Sequence, residues 1–204
     1  MTPPQGAKAP QGSKASTVRA DAAARTRQAL IEAGLRLAGQ TSLHALRVDR
    51  IVEEAGVSKG TFFHHFGDRQ SFVNDLLRDF YDRLTAMVAE VMATDQPGAV
   101  RILKATNAYL DGCAANPGAR ALLLEARSDP RVSAEIIDRN LMFARLIAED
   151  FTAMDRANPV ECGQLWVGTT AEAACLEHHA GTPLPRIRAA LAESLTTPGG
   201  TRHD

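Results

Sequence analysis

No apolar run in this sequence approaches the ~18 residues needed to cross a bilayer. The first residues also lack the apolar block of a signal peptide, so a cytoplasmic protein with no membrane partner is expected. Cysteine is scarce. Cys113, Cys162 and Cys175 are odd in number and show no CxxC spacing, which argues against a disulfide framework or a structural zinc site. Aromatic residues make up 5% of the chain and runs of Val, Ile and Thr are few, which leaves little to build a sheet. There is no GxSxG elbow, P-loop, dinucleotide fingerprint or HExxH, and a chain without strands lacks the sheet that presents the first three. An enzyme is not expected, and no cofactor is implied.

What the chain does contain in abundance is Ala, Leu, Arg and Glu, whose intrinsic preference is helical. With 204 residues, 45% of them hydrophobic, it can bury a core without staples. The fold class expected is all-α. The net charge of −1 hides an asymmetry: residues 1–69 carry ten Lys/Arg against six Asp/Glu, leaving 13 against 18 for residues 70–204. A basic N-terminal module on an acidic body suits local phosphate binding, because counterion release needs only a local cluster of cations.

Residues 1–18 are rich in Pro, Gly, Gln, Ser, Lys and Ala and are expected to form a disordered arm. A first helix is predicted from Ala22 to Ala38, with Leu30, Ala33, Gly34, Leu37 and Ala38 on one face and Gly39 ending it. A short helix over Val48 to Ala55 stops at Gly56, and a third follows over Lys59 to Phe66, with Ser58 as N-cap and Gly67 as breaker. Asp68 caps a long fourth helix whose stripe of Phe72, Leu76, Phe80, Leu84, Met87 and Val91 outruns the first three. Pro and Gly breaks then delimit five more helices, over 99–115, 119–127, 131–155, 160–179 and 184–196. This makes about nine helices in two parts, a three-helix N-terminal domain over 19–67 and a helical bundle over 68–196, with a disordered tail over 197–204.

Two helices joined by a short Gly-containing turn, with another packed across them, place the second in the major groove of DNA. Residues 48–66 have that layout, and the third helix exposes Lys59, Thr61, His64, Phe63 and His65 to base edges and phosphates. The stretch from Ile51 to Arg69, with its Ala-Gly-Val-Ser turn, Gly60-Thr61 and His65-Phe66, resembles the DNA-binding signature of TetR-type repressors. That resemblance implies DNA contacts from Lys59, Gly60, Thr61 and Phe63 to bases or sugar, and from His64, His65 and Arg69 to phosphates. Ser58 belongs to the contacting turn, and Arg47, where the family often has Thr, exchanges a cap for a cation facing phosphate. Phe63 stands in place of a common Tyr, and Arg69 in place of a common Lys.

Bland alternatives stand beside these readings. Phe62 and Phe66 are read as core, Lys59 and Thr61 could instead be a solvated face, and one of His64 and His65 could pack under the fourth helix. Arg19, Arg25 and Arg27 either follow a groove or are solvated. Glu172, Cys175, His178 and His179 have a spacing that could converge on a metal, but adjacent histidines point about 100° apart on a helix, so no metal is assigned.

The partners expected are double-stranded operator DNA, a small-molecule effector and a second copy of the chain. A homodimer is expected because one short recognition helix reads few base pairs, whereas a twofold pair reads a palindrome. Leu165, Gly168, Thr169 and Leu176 on one helix and Ile187, Leu191 and Leu195 on the next are the candidate interface, unless the second stripe covers its own subunit's core. Met87, Tyr109, Cys113, Leu123, Phe143, Ile147 and Trp166 are candidates to line an effector pocket, or else solid core. Few charges interrupt those faces, which favours an apolar or aromatic effector and a repressor released when it binds.

Overall fold

The computed structural model describes residues 12–40, 45–118 and 130–196 of the chain, as eight helices. They are α1 (Gly12–Ala38), α2 (Val48–Ala55), α3 (Lys59–Phe66), α4 (Arg69–Met92), α5 (Ala99–Ala115), α6 (Pro130–Ala153), α7 (Pro159–Ala180) and α8 (Pro185–Thr196). The helix expected over 119–127, the arm up to residue 11 and the tail from 197 lie outside the described residues.

One boundary needs correction. α1 begins at Gly12, so residues 12–18, read from the sequence as disordered arm, are helical. Pro10 precedes the helix and Gly12 opens it, but no Pro or Gly falls between Ser13 and Ala33, and once the later turns are anchored each added residue costs little. α2 and α3 have the predicted bounds, because their stop signals are local. Gly56 adopts the left-handed conformation (φ 67°, ψ 32°) that ends α2, and Ser58 is extended, its side chain accepting from Thr61 N–H at 3.1 Å. Asp68 caps α4 in the same way, accepting from Ser71 N–H at 2.7 Å.

Two apolar cores share α4. The first joins Leu30, Ile31 and Leu37 of α1, Ile51 and Val52 of α2, and Phe62 and Phe66 of α3 to Phe72, Val73, Leu76, Leu77 and Tyr81 of α4. The second takes Phe80, Leu84, Val88 and Met92 from the C-terminal half of α4 and packs them with α5, α6, α7 and α8. α6 and α7 lie so close that a Cβ built on Gly163 would collide with the Ala144 backbone, which leaves glycine as the residue that fits there. Leu191 and Leu195 of α8 are 6% and 5% exposed within the second core, so they cover their own subunit and are not an outward dimer stripe.

Buried ion pairs tie the body together. Asp150 of α6, fully buried, takes Arg101 Nε at 2.6 Å and a terminal guanidinium nitrogen at 2.8 Å, and also accepts from Gly98 N–H at 2.8 Å. This carboxylate both neutralises Arg101 and closes the N-terminus of α5. Its hydrogen bonds raise the Arg101 guanidinium pKa further. Glu177 of α7 does the same for α8, accepting from Leu184 N–H at 2.9 Å and from Arg188 at 2.7 and 2.8 Å. Removing one member of such a pair leaves the other charge buried and uncompensated. Asp150→Ala is therefore expected to lower unfolding free energy by about 3–5 kcal/mol in urea titrations, with Arg101→Met in the same chain recovering part of the loss. Equal stability of Asp150→Ala and the parent would contradict this account.

Candidate functional site

The surface that α3 presents follows from the side it buries. Phe62 is fully buried and Phe66 is 6% exposed, whereas Phe63, between them, is 48% exposed and meets Phe62 edge-on at 5.4 Å between centroids. An aromatic ring left half in solvent next to two buried ones is available for contact with a partner. Gly60 and His64 are exposed beside it, and a Cβ on Gly60 would meet nothing nearer than the Ser58 hydroxyl at 3.7 Å. Backbone can therefore come close to a partner here.

Lys59 stands at the exposed N-terminal end of α3, its ammonium 2.6 Å from Asp49 Oδ1 on α2. The hydrogen bond from Lys59 holds the Asp49 carboxyl below its usual range. This clasp between the two helices is missing from the sequence reading, and its signal is the acid in the first turn of α2. Both groups are well exposed, so the pair contributes little stability and can open for a phosphate. The Thr61 hydroxyl lies 2.9 Å from that of Ser58, which places both in the cap. Arg47 precedes α2 with no side-chain cap bond, and its exposed cation stands at that helix N-terminus.

Two residues expected at phosphates also carry structure. Arg69 is half-buried, and its Nε donates to Leu46 O at 2.9 Å. His65 is half-buried, and desolvation, then the neighbouring His64 and Arg27, push its pKa below the ordinary 6.5. These causes favour its neutral form in the free chain. Of the cations ahead of α3, Arg27 is held inside the module: it pairs with Asp75 at 2.7 Å and lies over the Phe66 ring at 5.2 Å.

The helical body contains a cavity of about 70 Å³. Of the candidates, Tyr109, Phe143, Ile147 and Trp166 line it, while Met87 and Cys113 pack elsewhere in the second core and Leu123 lies outside the described residues. Met87 and Cys113 are corrections: Met87 lies against Gly112, and Cys113 is 4% exposed beside a separate surface cleft. Tyr81, Thr106, Asn140 and Thr170 line the cavity without having been foreseen. The overlooked signal is the polar Thr at 106 and 170 on otherwise apolar helix faces. On α7, Leu165 is 73% and Leu176 42% exposed, Gly168 and Thr169 are exposed between them, and Ile187 of α8 is half-buried. Among the described residues no three His, Cys, Asp or Glu converge as a metal site, and the His179 ring nitrogen lies 2.8 Å from Cys175 O.

A family model described as bacterial regulatory proteins, tetR family, matches residues 30–76, which span the end of α1, all of α2 and α3, and the start of α4. The N-terminal module is similar to the tetR family over that stretch. The chain is 32% identical over 68 residues to the transcriptional repressor KstR2 of Rhodococcus jostii, which is 33% of each protein. It is 31% identical over 75 residues to the repressor AcnR of Corynebacterium glutamicum, covering 37% of this chain and 40% of that one. It is 30% identical over 83 residues to the regulator BetI of Vibrio campbellii, covering 41% of each. The chain thus spans about a third to two fifths of the length of the curated relatives it matches. Among solved structures, a transcriptional regulator from Rhodococcus sp. RHA1 superposes with TM-score 0.73 at 20% identity, covering 83% of this chain and 93% of the other. A TetR-family regulator from Streptomyces coelicolor gives 0.65 at 20% identity, covering 83% and 80%. At that identity the likeness is one of fold.

His65 supplies a pH test. With the folded pKa below 6.5, the unfolded chain binds more protons in the window beneath that value. The contribution of His65 is complete above 6.5 and is lost as pH falls through the folded pKa. An NMR titration should give a His65 midpoint below 6.5, and His65→Asn should flatten the loss of stability on mild acidification. A midpoint above 6.5 would contradict the assignment.

Proposed function

We propose that this chain is a homodimeric repressor of the TetR family that holds a palindromic operator in double-stranded DNA and releases it when a small apolar effector occupies the helical body. The observation that carries this reading is α3 itself, a two-turn helix with Phe62 and Phe66 buried and Lys59, Gly60, Phe63 and His64 outward. Lys59, Gly60, Thr61 and Phe63 approach bases or sugar, with Phe63 able to meet a thymine methyl, while Arg47, Ser58, His64, His65 and Arg69 face phosphates. Two of the relatives named above carry the description repressor, which supports repression as the output.

The dimer reading rests on α7, where Leu165, Gly168, Thr169 and Leu176 leave apolar and small groups in solvent at helical spacing, with Ile187 beside them. A single α3 reads too few base pairs, so a second copy completes the site. The effector reading rests on the cavity, whose wall includes Tyr81, a residue of the first core. An occupant that prefers one arrangement of α4 over another would shift the spacing of the two recognition helices.

Gel retardation on a fragment from upstream of the chain's own gene, at low salt, tests the DNA half; no shift would defeat it. Lys59→Ala should weaken specific binding by about 1–3 kcal/mol if it reads a base, and weaken all sequences alike with a shallower salt slope if it touches only phosphate. For the assembly, Leu165→Asp is expected to turn a sedimenting dimer into monomers at micromolar concentration. A parent chain that already sediments as a monomer would refute the dimer.

A further inference from the structure

We propose that the cavity in the helical body selects an uncharged molecule of about six heavy atoms carrying one hydrogen-bond acceptor, and that Thr170 is the residue that reads the acceptor. This deepens the effector reading above and depends on it for its biological meaning, though not for its test.

Size comes first. The cavity measures about 70 Å³, roughly half of an apolar cavity of about 150 Å³ that accepts benzene. Without rearrangement it takes only a small body. Charge comes next. None of the lining residues is Asp, Glu, Lys, Arg or His, so an ionic guest would enter with no counter-charge. Phe143, Ile147 and Trp166 supply an apolar wall, and the Trp166 indole N–H is already bonded to the Thr106 hydroxyl at 2.9 Å.

Thr170 is different. It is 7% exposed, it lines the cavity, and among the described residues its hydroxyl has no hydrogen-bond partner. A threonine within a helix commonly returns its proton to the carbonyl four residues back. Thr169 does so to Leu165 O at 2.6 Å, Thr85 to Tyr81 O at 2.7 Å and Thr152 to Ala148 O at 2.9 Å. Thr170 does not. Its buried donor is therefore a cost to the fold that an acceptor on a guest would remove, and a guest of the same shape without an acceptor would not.

Calorimetry on the full chain with three probes tests this: cyclopentanone, methylenecyclopentane of the same shape without the carbonyl, and butyrate of similar size with a charge. Cyclopentanone should bind about tenfold more tightly than methylenecyclopentane, and butyrate should not bind. Thr170→Val, which keeps the shape and deletes the hydroxyl, should cost cyclopentanone about tenfold and leave methylenecyclopentane unchanged, while Thr170→Ser should restore the preference. Because the orphaned donor is gone, Thr170→Val should also melt at or above the temperature of the parent. Cyclopentanone binding that is absent, no tighter than methylenecyclopentane, or untouched by Thr170→Val overturns the proposal, as does tighter binding of butyrate. Operator retardation with and without cyclopentanone is a separate readout: selective binding with unchanged retardation leaves the Thr170 assignment standing and counts against the effector half of the repressor reading.

Discussion

Three phenylalanine rings decide where α3 sits. Phe62 lies 5.3 Å from Phe66 and 5.1 Å from Phe72 between centroids, and Phe66 meets Phe72 edge-on at 4.9 Å. A helix of eight residues containing Gly, Thr and two His has neither the length nor the propensity to persist alone. Burying two phenylalanines is worth roughly 1.5–3 kcal/mol each, against about 1 kcal/mol for the Ser58 cap. Packing onto α4 therefore decides whether the helix exists, and the cap and Gly56 decide where it starts and which way it points. The same wedge fixes the outward surface, since with Phe62 and Phe66 facing α4 the side chains at 63 and 64 have nowhere to go but solvent.

This explains why the N-terminal module was legible in the sequence. Its bounds are written in residues whose effect is local: the left-handed Gly56, the capping Ser58 and Asp68, and a pair of Phe one turn apart. The start of α1 was not legible, because residues 12–21 contain no signal that forbids a helix and none that demands one. Leu191 and Leu195 were legible as an apolar stripe, but a stripe does not say which body it covers, and here the α8 stripe closes its own subunit over α5 and α7. The cavity was legible only in its large residues. Tyr109, Phe143, Ile147 and Trp166 are conspicuous, whereas Thr106 and Thr170 show in the sequence only as polar residues on apolar faces, and their part depends on which distant neighbours fold over them.

The electrostatic layout separates the two regions. In the module, beside the part-buried Arg27–Asp75 pair, Lys59 on Asp49 and Arg36 on Glu54 are exposed pairs that contribute little to stability and can exchange partners. In the body, Asp150 and Glu177 are buried, each closes the N-terminus of a neighbouring helix, and each is matched to an arginine. Pairs of the first kind exchange partners readily, and pairs of the second kind do not.

α4 connects the two cores as one continuous helix. Phe72 to Tyr81 belong to the first core and Phe80 to Met92 to the second, so at 1.5 Å per residue a single continuous helix carries both over about 30 Å. Tyr81 stands at the crossing: it packs in the first core, lines the cavity, and has the Arg139 guanidinium of α6 over its ring at 5.3 Å. α6 is itself engaged on both sides, with Ile136 in the first core and Ile147 and Phe151 in the second. Close-packed interiors do not absorb a displacement by compressing. A guest that moves the Tyr81 wall must therefore either turn α4 or shift α6 along it, and either motion acts on the phenylalanine wedge that seats α3.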